Sequence, residues 1–284
     1  MLTDGSSSLA RTILSALELT RHSVVILTPY ELDWSDSAAV DAYINQLKPD
    51  IVINTVGWHE SLRSTETLFL EASNSVAMAC AKHDVAVIHF SSFRVFGGIY
   101  KASYEEGDEV SPVSDVGHNF LLSEQAFTPV RHNICIRLSW LLDTDGDSLF
   151  RELLEMSSSP GEDIEVSYRR KGSPIPLARV ARLVTAMVNQ VLCGADNWGV
   201  FHLGSSDTCS AAELSEAVAD ILRRENSLRR AYKKQNLSDE ELDQLGEPLS
   251  SVLSAERCRD DFGVKAVSWR SGLTPLVQHW LENR

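Results

Sequence analysis

Val85-Ala86-Val87-Ile88-His89-Phe90 is an almost unbroken run of apolar and β-branched residues. A strand with one wet face alternates apolar and polar side chains, and this run does not. It therefore reads as a strand buried on both faces, which places it inside a parallel sheet with helices above and below. Three further runs read the same way: Ser23-Val24-Val25-Ile26-Leu27, Asp50-Ile51-Val52-Ile53-Asn54 and Ile134-Cys135-Ile136-Arg137-Leu138. Helical spacing fills the intervals, from Leu9 to Thr20, Ser37 to Leu47 and Thr65 to His83. Strand, helix, strand in repetition predicts right-handed crossovers and an α/β, doubly wound parallel sheet. Functional sites in such sheets lie at the carboxyl ends of the strands.

The second half is less regular. Pro176 to Leu192 reads as a helix and Val200-Phe201-His202-Leu203 as a short strand. Ser210 and Glu213 have the spacing of a capping box, opening a helix that should run to about Arg224. A charge switch follows: Arg223, Arg224, Arg229, Arg230, Lys233 and Lys234, then Asp239, Glu240, Glu241 and Asp243. Its plain reading is a solvated helical hairpin; its sharper one is an anion or partner site.

The chain has 284 residues and a net charge of −14, which disfavours a general binder of nucleic acid or of an anionic membrane. No apolar run approaches the roughly 18 residues of a membrane span. Cys80, Cys135, Cys193, Cys209 and Cys258 are scattered, odd in number and never paired as C-x-x-C. That pattern argues against a disulfide framework and against a bound metal, and it fits a cytoplasmic protein.

A dinucleotide fold needs a glycine-rich turn after its first strand, so that backbone N–H groups can approach a pyrophosphate. The candidate is Thr3-Asp4-Gly5-Ser6-Ser7-Ser8-Leu9-Ala10, behind a strand of about Met1 to Thr3. It holds one glycine, and Asp4 sets a carboxylate where the phosphates would lie. Its serines serve equally well as helix caps.

Several segments, in order along nearly the whole chain, resemble one family. Glu31-Leu32-Asp33-Trp34-Ser35-Asp36 resembles "ELDITD", and Lys48-Pro49-Asp50-Ile51-Val52-Ile53-Asn54 resembles "KPDVVIN". Ile88-His89-Phe90-Ser91-Ser92-Phe93-Arg94-Val95-Phe96 resembles "IHFSTDYVFDG", and Arg137-Leu138-Ser139-Trp140-Leu141 resembles "RTSWLY". Tyr104 to Asp108 resembles "PYxExD", and Glu247 to Leu253 resembles "RPxxSxLD". These patterns belong to the dTDP-4-dehydrorhamnose reductase-like (RmlD-like) branch of the extended short-chain dehydrogenases. The resemblance implies a Rossmann domain over residues 1–149 and about 174–199. It implies a smaller substrate lobe over about 150–173 and 200–284. It also implies NADP or NAD as cofactor, a nucleotide-linked 4-keto sugar as substrate, and a Tyr-x-x-x-Lys pair for the proton transfer.

The catalytic pattern is altered here. In the family's "YGxSKLxGE" segment, Val116 stands for the tyrosine and Phe120 for the lysine. Ser92 keeps the hydroxyl at the carbonyl-polarising position, and His118 is a stand-in acid shifted by two residues. The resemblance carries cofactor contacts to Gly5, Ser7, Ser8, Asp36, Asn54, Val56 and Gly57, and substrate contacts to Arg94, Ser139 and Trp140. Trp58 falls where it would fill cofactor space. The expectation is a non-catalytic relative that binds a nucleotide, a sugar nucleotide or a protein partner, including a second copy, with dinucleotide binding weakened or lost. Two alternatives stay open. One is a working reductase or epimerase using His118 or a water held by Ser92. The other is an interaction module with no small ligand.

Overall fold

The computed structural model describes residues 1–27, 31–58, 67–98, 101–146, 148–235 and 247–284. In chain order the elements are α1 (Ser8–Glu18), α2 (Ser37–Leu47), β1 (Ile51–Asn54), α3 (Thr67–His83), β2 (Ala86–Ser92), α4 (Asp115–Ala126), β3 (Asn133–Leu138) and β4 (Leu141–Leu142). There follow α5 (Leu149–Ser158), β5 (Ile164–Ser167), β6 (Lys171–Gly172), β7 (Ile175–Pro176), α6 (Leu177–Leu192), β8 (Gly199–Leu203) and β9 (Cys209–Ser210). The last are α7 (Ala211–Arg224), β10 (Tyr232–Gln235), β11 (Ser250–Ser251), α8 (Glu256–Phe262) and α9 (Leu273–Glu282).

The strands β1, β2, β3 and β8 lie side by side in that order, all parallel. Leu2 extends the sheet beyond β1, bridging Ile53 on one side and Ile26 on the other. The side chains sort as a doubly covered sheet requires. Ile51, Ile53, Ile88, Ile134 and Ile136 join a core with Leu9 and Ile13 of α1 and Val180 and Val184 of α6. Val52 and Val87 face the other way, into a core with Val40 and Ile44 of α2 and Val76 and Cys80 of α3. The continuous apolar runs arise because neither face meets water.

Three expectations change. The run from Ser23 to Leu27 is not a full strand; only Ile26 forms a bridge, because its neighbour contributes the single residue Leu2 before the chain turns into the loop at Gly5. β8 lies in the main sheet beside β3, so residues 200–203 group with the first division rather than with the smaller lobe. The expected helical hairpin is absent over its basic half. α7 ends at Arg224, and Tyr232–Gln235 pairs with β5 as a parallel strand. Local propensity yields there to tertiary pairing: the Tyr232 hydroxyl bonds Ser157, and Lys233 pairs with Asp163 at 3.3 Å. The acidic half, Asp239 to Asp243, lies outside the described residues.

The capping box forms as the spacing predicts. Glu213 N–H donates to Ser210 Oγ at 3.1 Å, and Ser210 N–H donates to Glu213 Oε2 at 2.7 Å. α7 then packs against α5 and β5, while β6 pairs with β11 and β9. This assembly stands over the carboxyl ends of β2 and β3. Among the described residues, no helix is long and apolar enough to cross a membrane.

Candidate functional site

Two regions meet at the carboxyl ends of the strands. The first is the loop after Leu2, at the point where the chain crosses from one side of the sheet to the other. Thr3 Oγ1 donates to Asn54 Oδ1 at 3.1 Å and accepts from Thr55 N–H at 2.9 Å. Thr55 Oγ1 in turn donates to the Asp4 carbonyl at 2.7 Å. This buried lattice ties the loop to the end of β1 and uses the Asn54 side chain internally.

The loop also supplies its own anion. Asp4 is buried, and its carboxylate accepts Ser6 N–H at 2.8 Å and Ser6 Oγ at 2.9 Å. Ser7 Oγ accepts Ala10 N–H at 3.1 Å and caps α1, while Ser8 Oγ donates to the buried Asp143. Gly5 is crowded by Ile26, whose Cδ1 would lie 2.5 Å from an added Cβ. Gly57 has φ +65°, with the Phe69 backbone 3.2 Å from where a Cβ would be, so glycine is required there. Val56 points into the α2–α3 core. Asp36 caps α2, accepting Ala38 and Ala39 N–H at 2.9 and 3.1 Å.

The second region is a cavity of about 50 Å³. Four residues assigned from the sequence converge on it: Ser92, Arg94, Ser139 and Trp140, with Trp58 beside them. Ser92 ends β2, and its hydroxyl accepts Arg94 N–H at 3.3 Å, capping the 3₁₀ turn Phe93–Val95. Ser139 Oγ is fully engaged, donating to the Ser251 carbonyl at 2.7 Å and accepting Ser173 N–H at 3.1 Å. It fastens the end of β3 to β11 and to the residue that follows β6. Trp140 packs on Gly172, where a Cβ would lie 2.5 Å from ring atom Cδ2.

Val116 and Phe120, the positions that the resemblance assigns to the catalytic pair, are one helical turn apart on α4. Val116 is half-buried against the core, and Phe120 is completely buried. The Phe120 ring lies 5.7 Å from Trp58 and 5.5 Å, edge to face, from Phe69. His118 points elsewhere: it is exposed, its Nδ1 lies 2.9 Å from the Ser114 carbonyl, and it does not line the cavity. The two-residue shift turns it roughly 200° from the tyrosine direction.

Charge enters the cavity from Arg94 and from Arg170, which the sequence did not single out. Arg94 Nε donates to Glu247 Oε1 at 2.6 Å, an ion pair within the chain. Arg170 Nη2 lies 3.9 Å from Glu247 Oε2. Burial holds the Arg170 guanidinium below its ordinary pKa, Glu247 opposes that shift, and the nearby Arg94 charge adds to it. In the sequence Arg170 is one of three successive basic residues, Arg169 to Lys171, with nothing to mark which turns inward.

The profile of the RmlD substrate binding domain family matches residues 1–281. A dTDP-4-keto-6-deoxy-D-glucose reductase of Streptomyces niveus is 23% identical over 288 residues, covering 99% of this chain and 93% of that protein. A solved dTDP-4-dehydrorhamnose reductase of Clostridium acetobutylicum superposes with a TM-score of 0.82 at 20% identity, covering 99% of this chain and 98% of that one. The Bacillus anthracis dTDP-4-dehydrorhamnose reductase, solved in complex with NADP, superposes at 0.79 and 19% identity, covering 100% and 98%. At these identities the solved structures establish the shared fold.

Proposed function

The chain belongs to the RmlD substrate binding domain family, and on that footing we propose that it is a non-catalytic member which binds a sugar nucleotide or nucleotide and works through a partner. The observation that carries this reading is Phe120, fully buried where the family resemblance puts the lysine, one turn from Val116 at the tyrosine position. A positioned acid contributes about 10²–10⁴ in rate, and neither residue can donate a proton. No tyrosine, lysine or histidine lines the cavity among the described residues. Ser92 keeps a hydroxyl there, without an acid beside it.

The residues at the sheet crossover do not fit a nicotinamide dinucleotide. The Ser6 amide that would meet a pyrophosphate already serves the Asp4 carboxylate, which would also repel the phosphates. Trp58 is buried between Phe90 and Phe120. No step through a dinucleotide follows from this arrangement. The exposed His118 gives no support to a relocated acid.

The test combines turnover with binding. Purified protein mixed with NADPH and dTDP-4-dehydrorhamnose is expected to leave the NADPH absorbance unchanged, while a thermal shift reports binding of dTDP or dTDP-glucose. Sustained NADPH oxidation that depends on the keto sugar overturns the reading.

A further inference from the structure

Buried charges in proteins are paired, because an unpaired one forfeits its hydration without return. The cavity departs from that pattern. Two arginines, Arg94 and Arg170, share a single carboxylate, Glu247. The sharing is unequal: Arg94 has a 2.6 Å hydrogen bond, whereas the Arg170 approach of 3.9 Å is too long for one. Glu247 Oε2 and Arg170 Nε are buried, and among the described residues neither has a hydrogen-bond partner. Arg94, Arg170 and Glu247 together carry one excess positive charge, which Glu152 partly offsets at Arg170, and two unused polar atoms beside a partly open cavity. Ser92, Ser139 and Ser148 also line that space.

We propose that Arg94 and Arg170 form a site for the phosphate group of a small ligand, with Glu247 acting as a tethered competitor. A planar guanidinium presents donors in a fork that matches a phosphate, and such charge-assisted bonds are among the strongest available. A phosphate oxygen in the cavity would take the donors that Glu247 leaves unused on Arg170. With Glu247 displaced, the two negative charges of a phosphate dianion match the two arginines. Glu247 holds Arg94 in place when no ligand is bound and raises the threshold for entry of an anion. The site thus favours a dianionic phosphate over a single carboxylate, which merely duplicates Glu247. This inference deepens the proposed function by naming the group recognised, but its test does not depend on a sugar nucleotide.

Isothermal titration at constant ionic strength, with inorganic phosphate, dTDP and dTDP-glucose in separate arms, tests it. Glu247→Gln removes the competing charge and keeps the side-chain shape, so phosphate should bind about tenfold or more tighter than to the wild type. Arg170→Gln should weaken phosphate binding by a similar factor, with circular dichroism confirming the fold. Unchanged or weaker phosphate binding in Glu247→Gln overturns the proposal, and so does an Arg170→Gln protein that is folded and binds phosphate as the wild type does. Since Glu247→Gln leaves both arginines in place, the test stands even if the Arg170 variant fails to fold. Phosphate binding that responds to Glu247, without any binding of dTDP or dTDP-glucose, would overturn the sugar-nucleotide reading and leave this one intact.

Discussion

The ring of Phe120 packs 5.7 Å from the ring of Trp58, at an interplanar angle of 58°. One residue lies on α4 and the other just after β1, so the contact bridges two elements that would flank a reactive group. Phe69 closes the other side of Phe120. Phe120 is a fully buried core residue of α4.

That packing predicts the response to substitution. Phe120→Ala should cost about 3–5 kcal/mol, read from urea unfolding, because a fully buried aromatic leaves a cavity. Phe120→Lys should cost at least as much, since its ammonium would enter an apolar cluster without a partner. Val116→Tyr with Phe120→Lys should still give no NADPH oxidation, because Asp4 and Trp58 are unchanged. Measurable turnover in that double variant would mean that the two positions alone separate this chain from a reductase.

Asp4 allows a separate test at the crossover loop. Asp4→Asn keeps an acceptor for Ser6 N–H and removes the negative charge facing an incoming phosphate. Two like charges about 4 Å apart repel by roughly 1–4 kcal/mol, depending on exposure. NADPH affinity, followed by fluorescence titration, should therefore rise by at least several-fold over wild type. Equal affinities would place the obstacle elsewhere, at Trp58 or in the crowding around Gly5.

How much of this could be read from the sequence depends on which force fixed each residue. Burial on both faces leaves a mark in one dimension, so Ile51 to Asn54 and Asn133 to Leu138 emerge within a residue of their sequence limits. Capping does too, as Ser210 and Glu213 show. β2 runs on to Ser91 and Ser92 because their partners Arg137 and Leu138 continue the ladder, and polar residues gave no sign of that. Ser92, Arg94, Ser139 and Trp140 were brought together through family patterning, which records position. Their hydrogen bonds were not legible. Arg170 and Glu247 are 77 residues apart in the chain, and their meeting is purely tertiary.

Arg137 and Glu124 bear out that last point inside the core. Arg137 Nε donates to Glu124 Oε1 at 2.8 Å and Nη2 to Oε2 at 2.7 Å, with both side chains nearly enclosed. Ser91 also donates to Glu124, so one carboxylate fastens α4 to β2 and β3. Removing one partner strands the other. Glu124→Ala and Arg137→Ala should each cost about 3–5 kcal/mol. The double variant should cost clearly less than their sum, and additive losses in a double-mutant cycle would exclude a direct coupling.

Two buried histidines should make the fold less stable in acid. His89 stacks on Phe127 with ring centres 4.1 Å apart, and His202 Nδ1 lies 3.1 Å from the Tyr104 carbonyl. Burial lowers His89 from 6.5 to about 4. Burial first, and then the Arg137 charge, lowers His202 to about 3. In the unfolded chain both imidazoles take up a proton near pH 6.5, whereas in the folded chain they stay neutral well below it. Under acid the unfolded state therefore binds more protons, and stability falls with pH. The contribution is complete above about pH 6.5 and declines as pH drops towards 4 for His89 and 3 for His202. Near pH 5 each residue should have removed about 2 kcal/mol, at roughly 1.4 kcal/mol per pKa unit. His89→Phe preserves an aromatic face against Phe127 and cannot titrate. Urea unfolding between pH 7.5 and 4.5 should then show a shallower decline, by close to one proton in the slope. A variant with the wild-type slope would show that His89 is already protonated in the folded protein.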